Sequence, residues 1–320
     1  MAVEPAALTL RPLNIGEIFD RAITVYVRNF VVFTLIVLAA LAPIGVAQAL
    51  VVPDQTAQLR QAIDQIQHPT TATAPANPLA AYTPARAVAL FAIVLVGLLL
   101  LPFVNNAVAV GVAAVYFGRR PDFAKCYGTV FSRWPRMLGV AAAFTAIFMA
   151  WYVAGLLVIG FSFVLLAVLA ARVMLVAILL GVVGFVALIA FLISLMALVV
   201  VSAFAFYAVA IEDAGVGTAV SGAFSRLVNR REGGKLTLIT LSFVAVEIGV
   251  SGMSATLGLL ALFVLHSQAL EVGISTIFNA LLTAFVTVLL SVYYYDVRVR
   301  YEALDLEVSL SWLAAQGAAS

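Results

Sequence analysis

Cysteine and histidine are almost missing from this 320-residue chain, which has one cysteine, Cys126, and two histidines, His68 and His266. A lone cysteine excludes an intrachain disulfide and a cysteine-built metal cage, and two histidines in or beside expected loops make no histidine cluster. Charge is scarce as well. Only 10% of residues are charged, whereas 65% are hydrophobic, and the mean hydropathy is +1.16. A soluble domain carries roughly a quarter charged residues, because its exterior must face water. The formal net charge of +2 is too small to point to nucleic acid, and the placement of charges matters more than their sum. Catalytic signatures are absent too: there is no His-Glu-x-x-His, no glycine-rich phosphate loop, no nucleophile elbow and no pair of intramembrane aspartates. Gly233-Gly234-Lys235 lacks the rest of a Walker loop and reads as a turn. We therefore expect no enzyme activity, no metal and no cofactor.

What the chain has in abundance is apolar runs long enough to cross a bilayer, and a short basic segment standing before each pair of them. The first copy, Leu13 to Phe30, ends Thr24-Val25-Tyr26-Val27-Arg28. The second, Asp122 to Arg136, carries Thr129-Val130-Phe131-Ser132-Arg133, and the third, Val216 to Arg231, carries Gly222-Ala223-Phe224-Ser225-Arg226. Aligned on aromatic-x-Arg, the three copies predict an internal repeat of one interfacial helix plus one transmembrane hairpin. The repeats run 12–118, 119–211 and 212–307. The expected fold is thus all-α: a polytopic membrane protein with six transmembrane helices and three cytoplasmic interfacial amphipathic helices in a threefold internal repeat.

In the first copy Ile15, Ile18, Phe19, Ala22, Tyr26 and Phe30 recur at helical spacing, with Glu17, Asp20, Arg21 and Arg28 on the other face. Span 1 covers about Phe30 to Val52. Ala47-Gln48-Ala49 matches a signal-peptidase pattern, but the run is longer than an h-region and the leader before it is long, so a retained first span is the expectation and a cleaved signal the alternative. A loop at 53–85 follows, rich in Gln, Thr, Ala and Pro. Span 2 runs from about Arg86 to Gly118 and is interrupted by Pro102. Residues Met137 to Ile211 exceed two spans of ~20 residues, which predicts two long tilted helices turning near Arg172. Span 5 is expected at Lys235 to Leu265 and span 6 at Val272 to Tyr295. The charged tail, if helical, pairs Asp296 with Arg300 and Arg298 with Glu302 at i,i+4. Every Lys and Arg except Arg60, Arg86 and Arg172 falls in the N-terminal segment, the repeat junctions or the tail. The positive-inside rule then puts both termini and all three interfacial helices in the cytoplasm.

Two sets of residues are candidate sites. Glu247 lies roughly 18 Å of helix past Lys235, near mid-membrane. Asn105 and Asn106 sit at a comparable depth beside the Pro102 break. A broken helix with amides facing a carboxylate is how some transporters build a midplane site; the alternative is packing glue between helices. The second set is Arg28, Arg133 and Arg226, placed to reach lipid phosphates or a partner from the membrane boundary. The alternative there is that these arginines enforce insertion and pair with nearby carboxylates.

Arg11-Pro12-Leu13-Asn14-Ile15-Gly16-Glu17-Ile18-Phe19-Asp20-Arg21-Ala22, with Tyr26-Val27-Arg28-Asn29-Phe30, resembles the opening of prokaryotic integral membrane proteins known as the membrane domain of glycerophosphoryl diester phosphodiesterase. Tyr294-Tyr295-Asp296-Val297-Arg298-Val299-Arg300-Tyr301-Glu302 and Leu304-Asp305-Leu306-Glu307 are similar to that family's closing signature, and Glu212 through Arg226 to its central motif. The resemblance implies a helical membrane module without the soluble catalytic barrel. The functional expectation is a scaffold or accessory subunit of the inner membrane, in contact with anionic lipids and a membrane or cytoplasmic partner protein. A small-solute or lipid permease is the alternative.

Overall fold

The computed structural model describes residues 11–52, 83–170, 174–228, 233–265 and 267–304. Among these residues every regular element is a helix. They are α1 (Ile15–Arg28), α2 (Phe30–Val51), α3 (Pro84–Tyr116), α4 (Phe123–Ser132), α5 (Trp134–Ala170), α6 (Met174–Glu212), α7 (Val216–Leu227), α8 (Gly233–Phe263) and α9 (Gln268–Glu302). The long members α2, α3, α5, α6, α8 and α9 each contain a stretch long and apolar enough to cross a membrane. A multi-pass membrane protein is what such a set makes. In chain order a short helix precedes a pair of long ones three times: α1 before α2 and α3, α4 before α5 and α6, α7 before α8 and α9.

The apolar stretch after Met137 forms two helices of 37 and 39 residues. Each is over 50 Å long by about 1.5 Å per residue, so each outruns a hydrocarbon core of ~30 Å and must tilt or protrude. The expected turn residue Arg172 lies outside the described residues, as do most of the 53–85 loop, Arg60, Arg230, Arg231, His68 and His266.

Helix ends follow local chemistry. Asn14 and Glu17 form a reciprocal capping box at the start of α1: Asn14 Oδ1 accepts the Glu17 N–H at 2.9 Å, and Glu17 Oε2 accepts the Asn14 N–H at 2.8 Å. Thr83 caps α3, with Pro84 in its first turn. α3 ends in a Schellman-type turn. Gly118 takes a left-handed φ of 66°, its N–H donates to Val115 O, and the Arg119 N–H donates to Ala114 O. Pro121 then prevents the helix from resuming, and Asp122 Oδ1 accepts the Lys125 N–H to start α4.

The described residues form two compact units, Arg21–Val130 with Val246–Leu289, and 11–20 with Phe131–Ala245 and 290–304. In the first, α2 lays Phe33, Ile36 and Val37 against the buried face of α3. Gly111 allows this approach, since a Cβ there would stand 2.9 Å from the Phe33 ring. Tyr127 on α4 donates its hydroxyl to Ile36 O at 2.6 Å, and Tyr26 on α1 donates to Leu281 O on α9 at 3.3 Å. Much of α3 before Pro102 leaves apolar side chains outward, among them Val88 and Phe91, both 69% exposed; hydrocarbon rather than water suits such a surface.

In the second unit, α5 and α6 pack as a hairpin. A Cβ on Gly155 would sit 2.0 Å from the Phe191 ring, and Trp151 Nε1 donates to Ser194 Oγ at 2.9 Å. α7 closes over α5, with Phe224 stacked on Phe144 at 6.1 Å. Phe204 and Tyr207 of α6 meet Tyr293 and Tyr294 of α9 edge to face at 5.0–5.7 Å, a geometry that adds to the area these rings bury.

Candidate functional site

Sequence spacing makes Arg28, Arg133 and Arg226 equivalent; the structure gives them three different settings. Arg226 on α7 is enclosed. Its guanidinium reaches Glu212 Oε2 at 3.0 Å, Glu302 Oε1 at 2.6 Å and the Tyr294 hydroxyl at 3.0 Å. Arg298 bridges the same two carboxylates, at 3.3 Å to Glu212 and 2.9 Å to Glu302, and the Tyr294 hydroxyl donates to Glu212. Two cations thus meet two anions in a neutral, fully bonded knot. Burial disfavours the charged guanidinium, but Tyr294, Glu212 and Glu302 more than offset it, so Arg226 titrates above its ordinary value.

Arg133 works on the end of α6. It donates to Val209 O at 3.2 Å and Ala210 O at 2.5 Å and pairs with Asp213 at 3.1 Å. Arg136 holds the Asp213 carboxylate at 2.5 Å and its carbonyl at 2.9 Å. Cations at a helix C-terminus satisfy the carbonyls left over there and favour its dipole. Asp213 adopts a left-handed φ of 59°, which ends the helix.

A second knot centres on Asp296, whose side chain is fully buried. It accepts from the Leu13 N–H at 2.6 Å, Lys235 Nζ at 2.5 Å and Arg300 Nε at 3.1 Å. Lys235 and Arg300 in turn donate to the Leu13 carbonyl, at 3.0 and 2.5 Å. A single peptide, that of Leu13, is thereby gripped on both its polar groups. The expected i,i+4 pairs Asp296–Arg300 and Arg298–Glu302 both form, because α9 continues through the charged tail to Glu302.

Arg28 differs from both. It ends α1 in the first unit, is exposed, and has no ion-pair partner among the described residues. It lines a cavity of about 530 Å³ together with Arg119 and Arg120 from the turn after α3. Asn29, Phe30, Val31 and Val115 complete much of the wall.

At mid-span, Asn105 Oδ1 accepts from Thr287 Oγ1 of α9 at 3.3 Å. Asn106 is buried; its amide nitrogen donates to Pro102 O at 2.7 Å, while its Oδ1 has no hydrogen-bond partner among the described residues. Glu247 is half-exposed and accepts from Ser251 Oγ, one turn along its own helix, at 3.3 Å. No hydrogen bond joins Glu247 to Asn105 or Asn106 among the described residues. Instead Ser251 and Ser254 of α8 share a cavity of about 240 Å³ with Glu271, Ser275 and Asn279 of α9. Among the described residues no group of His, Cys, Asp and Glu could hold a metal ion.

Sequence reasoning missed the Leu13–Asp296–Lys235 grip and the Glu212–Arg226–Tyr294 knot as contacts. The charged, tyrosine-rich ending from Tyr294 to Glu302 was the signal that could have located them. Compared with known proteins, the chain matches no family model, no curated protein and no solved structure.

Proposed function

We propose that the chain is a non-enzymatic integral protein of the prokaryotic inner membrane, with both termini and the short helices α1, α4 and α7 on the cytoplasmic side. It serves as a scaffold or accessory subunit that engages the anionic inner leaflet and a partner protein. The observation that carries this proposal is the set Arg28, Arg119, Arg120 and Lys125. These cations stand where α1 meets α2 and where α3 gives way to α4, and no carboxylate pairs with them among the described residues. Unpaired cations beside the ends of apolar spans are drawn to anionic headgroups, each by about 1 kcal/mol. The interfacial role of the short helices has support in their one-sided burial. Ile18, Ala22 and Val25 turn inward on α1, Cys126 and Val130 on α4, and Ala219, Ala223 and Leu227 on α7, all at helical spacing. The threefold order of short helix and long pair supports an internal repeat, and the likeness of both chain ends to the phosphodiesterase membrane-domain family belongs to the same proposal.

The test is extraction in mild detergent followed by mass spectrometry of what remains bound. Anionic lipid enriched over the bulk membrane, with a reproducible protein partner, is the expected result. Bulk lipid composition with no partner would overturn it. A permease reading draws on the 240 Å³ cavity between α8 and α9, whose lining Ser251 donates to Glu247 at 3.3 Å; solute flux in proteoliposomes that falls on Glu247→Gln would favour it.

A further inference from the structure

The cavity at the joint of α1, α2 and α3 carries an inference that rests on the leaflet reading and sharpens it. We propose that this cavity is a binding site for one phosphate group, supplied by the headgroup of an anionic lipid whose chains lie along the apolar wall. Three arginines line it, Arg28, Arg119 and Arg120, and none of its lining residues is acidic. A guanidinium offers a fork of donors that matches phosphate oxygens. The arginines come from two separate places in the chain: Arg28 closes α1, and the left-handed Gly118 turns the chain so that Arg119 and Arg120 follow directly on α3.

The rest of the wall separates a polar end from an apolar one. Thr24 and Asn29 lie with the arginines, whereas Phe30, Val31, Val32 and Val115 belong to the first turn of α2 and the last of α3. Those turns are the ends of two spans, so polar and apolar walls meet where headgroup gives way to acyl chain. The start of α2 adds to the attraction. Asn29 stands at its N-cap without a side-chain cap bond, and its amide nitrogen donates back to Val25 O of α1 at 2.9 Å. The first amides of a 22-residue helix are therefore left without a side-chain acceptor at a site rich in positive charge. A volume of about 530 Å³ suits a headgroup and the beginning of its chains.

Native mass spectrometry of the full chain in detergent tests this, with phosphatidylglycerol, phosphatidylcholine and inorganic phosphate as probes. Wild type should keep one phosphatidylglycerol more firmly than phosphatidylcholine. Arg28→Gln, Arg119→Gln and Arg120→Gln together should weaken that retention by roughly fivefold per arginine. Arg11→Gln, which removes an exposed cation paired with Glu17 and outside the cavity, should leave it unchanged. Arg119→Gln with Arg120→Gln alters only the exposed turn and supplies a reading should the triple variant fail to fold. Displacement of the lipid by millimolar inorganic phosphate would confirm a phosphate site and make free phosphate its source, while resistance assigns the source to lipid. Equal retention by wild type and the cavity-arginine variants, or an equal loss in Arg11→Gln, would overturn the site while sparing the leaflet reading. If wild type shows no preference for phosphatidylglycerol, both fall together.

Discussion

The Asp296 carboxylate accepts the backbone N–H of Leu13 at 2.6 Å, a bond between residues 283 positions apart. It fastens the segment before α1 to the end of α9, and Lys235 at the start of α8 completes the fastening from a third place in the chain. A carboxylate with no exposure is costly to bury and is tolerated only when its oxygens are satisfied.

Removing that carboxylate should therefore be severe. We expect Asp296→Ala to cost about 3–5 kcal/mol, because Lys235 and Arg300 lose their counter-charge in a buried place. Arg11→Ala breaks only the exposed pair with Glu17 at 2.5 Å and should cost at most about 1 kcal/mol. Chemical denaturation in detergent, followed by far-UV circular dichroism, compares the two; equal small losses would mean the grip on Leu13 adds little.

Close helix approach gives a second contrast. Gly111→Leu must push against the Phe33 ring, whose Cε1 lies 2.9 Å from the Cβ position, and we expect a loss of about 1–3 kcal/mol from overpacking. Gly128→Ala meets nothing within 4 Å and should be neutral or stabilising by up to about 1 kcal/mol through helix propensity. Midpoints of thermal aggregation for both variants beside wild type decide the matter.

Cys126 is buried on α4, and burial pushes its thiol above the ordinary value, against a hydrogen bond from the Asp122 backbone. A folded value above the unfolded one favours the folded state at pH below the unfolded thiol's value of about 8.5 and loses that favour as pH climbs through the folded value. At pH 7.5 the thiol should resist maleimide until the protein unfolds, so its labelling reports unfolding. Labelling of the native protein as fast as free cysteine would place the thiol in the open.

The spans were legible because crossing a bilayer demands a long apolar run, and such runs survive in sequence whatever they pack against. α2 begins at Phe30 as its run does, and the apolar stretch after Met137 resolves into two helices. The partners of the arginines were not legible. Arg28, Arg133 and Arg226 share one local pattern, yet Arg226 meets Glu302 only because α7 and the end of α9 come together in space. Spacing records a helix face; it does not record which distant carboxylate arrives there. The same limit hid the cavity, since Arg28 and Arg119 are brought together by the packing of α2 on α3 and by nothing local. Asn105 was legible as a polar residue at a helix break, but its partner Thr287 was not.

Sidedness underlies everything proposed for the basic residues, and a pair of single cysteines measures it. Ala85→Cys and Ala124→Cys, each at an exposed position and each made with Cys126→Ser, report on the two ends of α3. In intact cells carrying only a cytoplasmic membrane barrier, a membrane-impermeant maleimide should label Ala85→Cys at once and Ala124→Cys only after the membrane is opened. Immediate labelling of Ala124→Cys, or protection of Ala85→Cys, would put Arg119, Arg120 and Lys125 on the wrong side and contradict an inner-leaflet role.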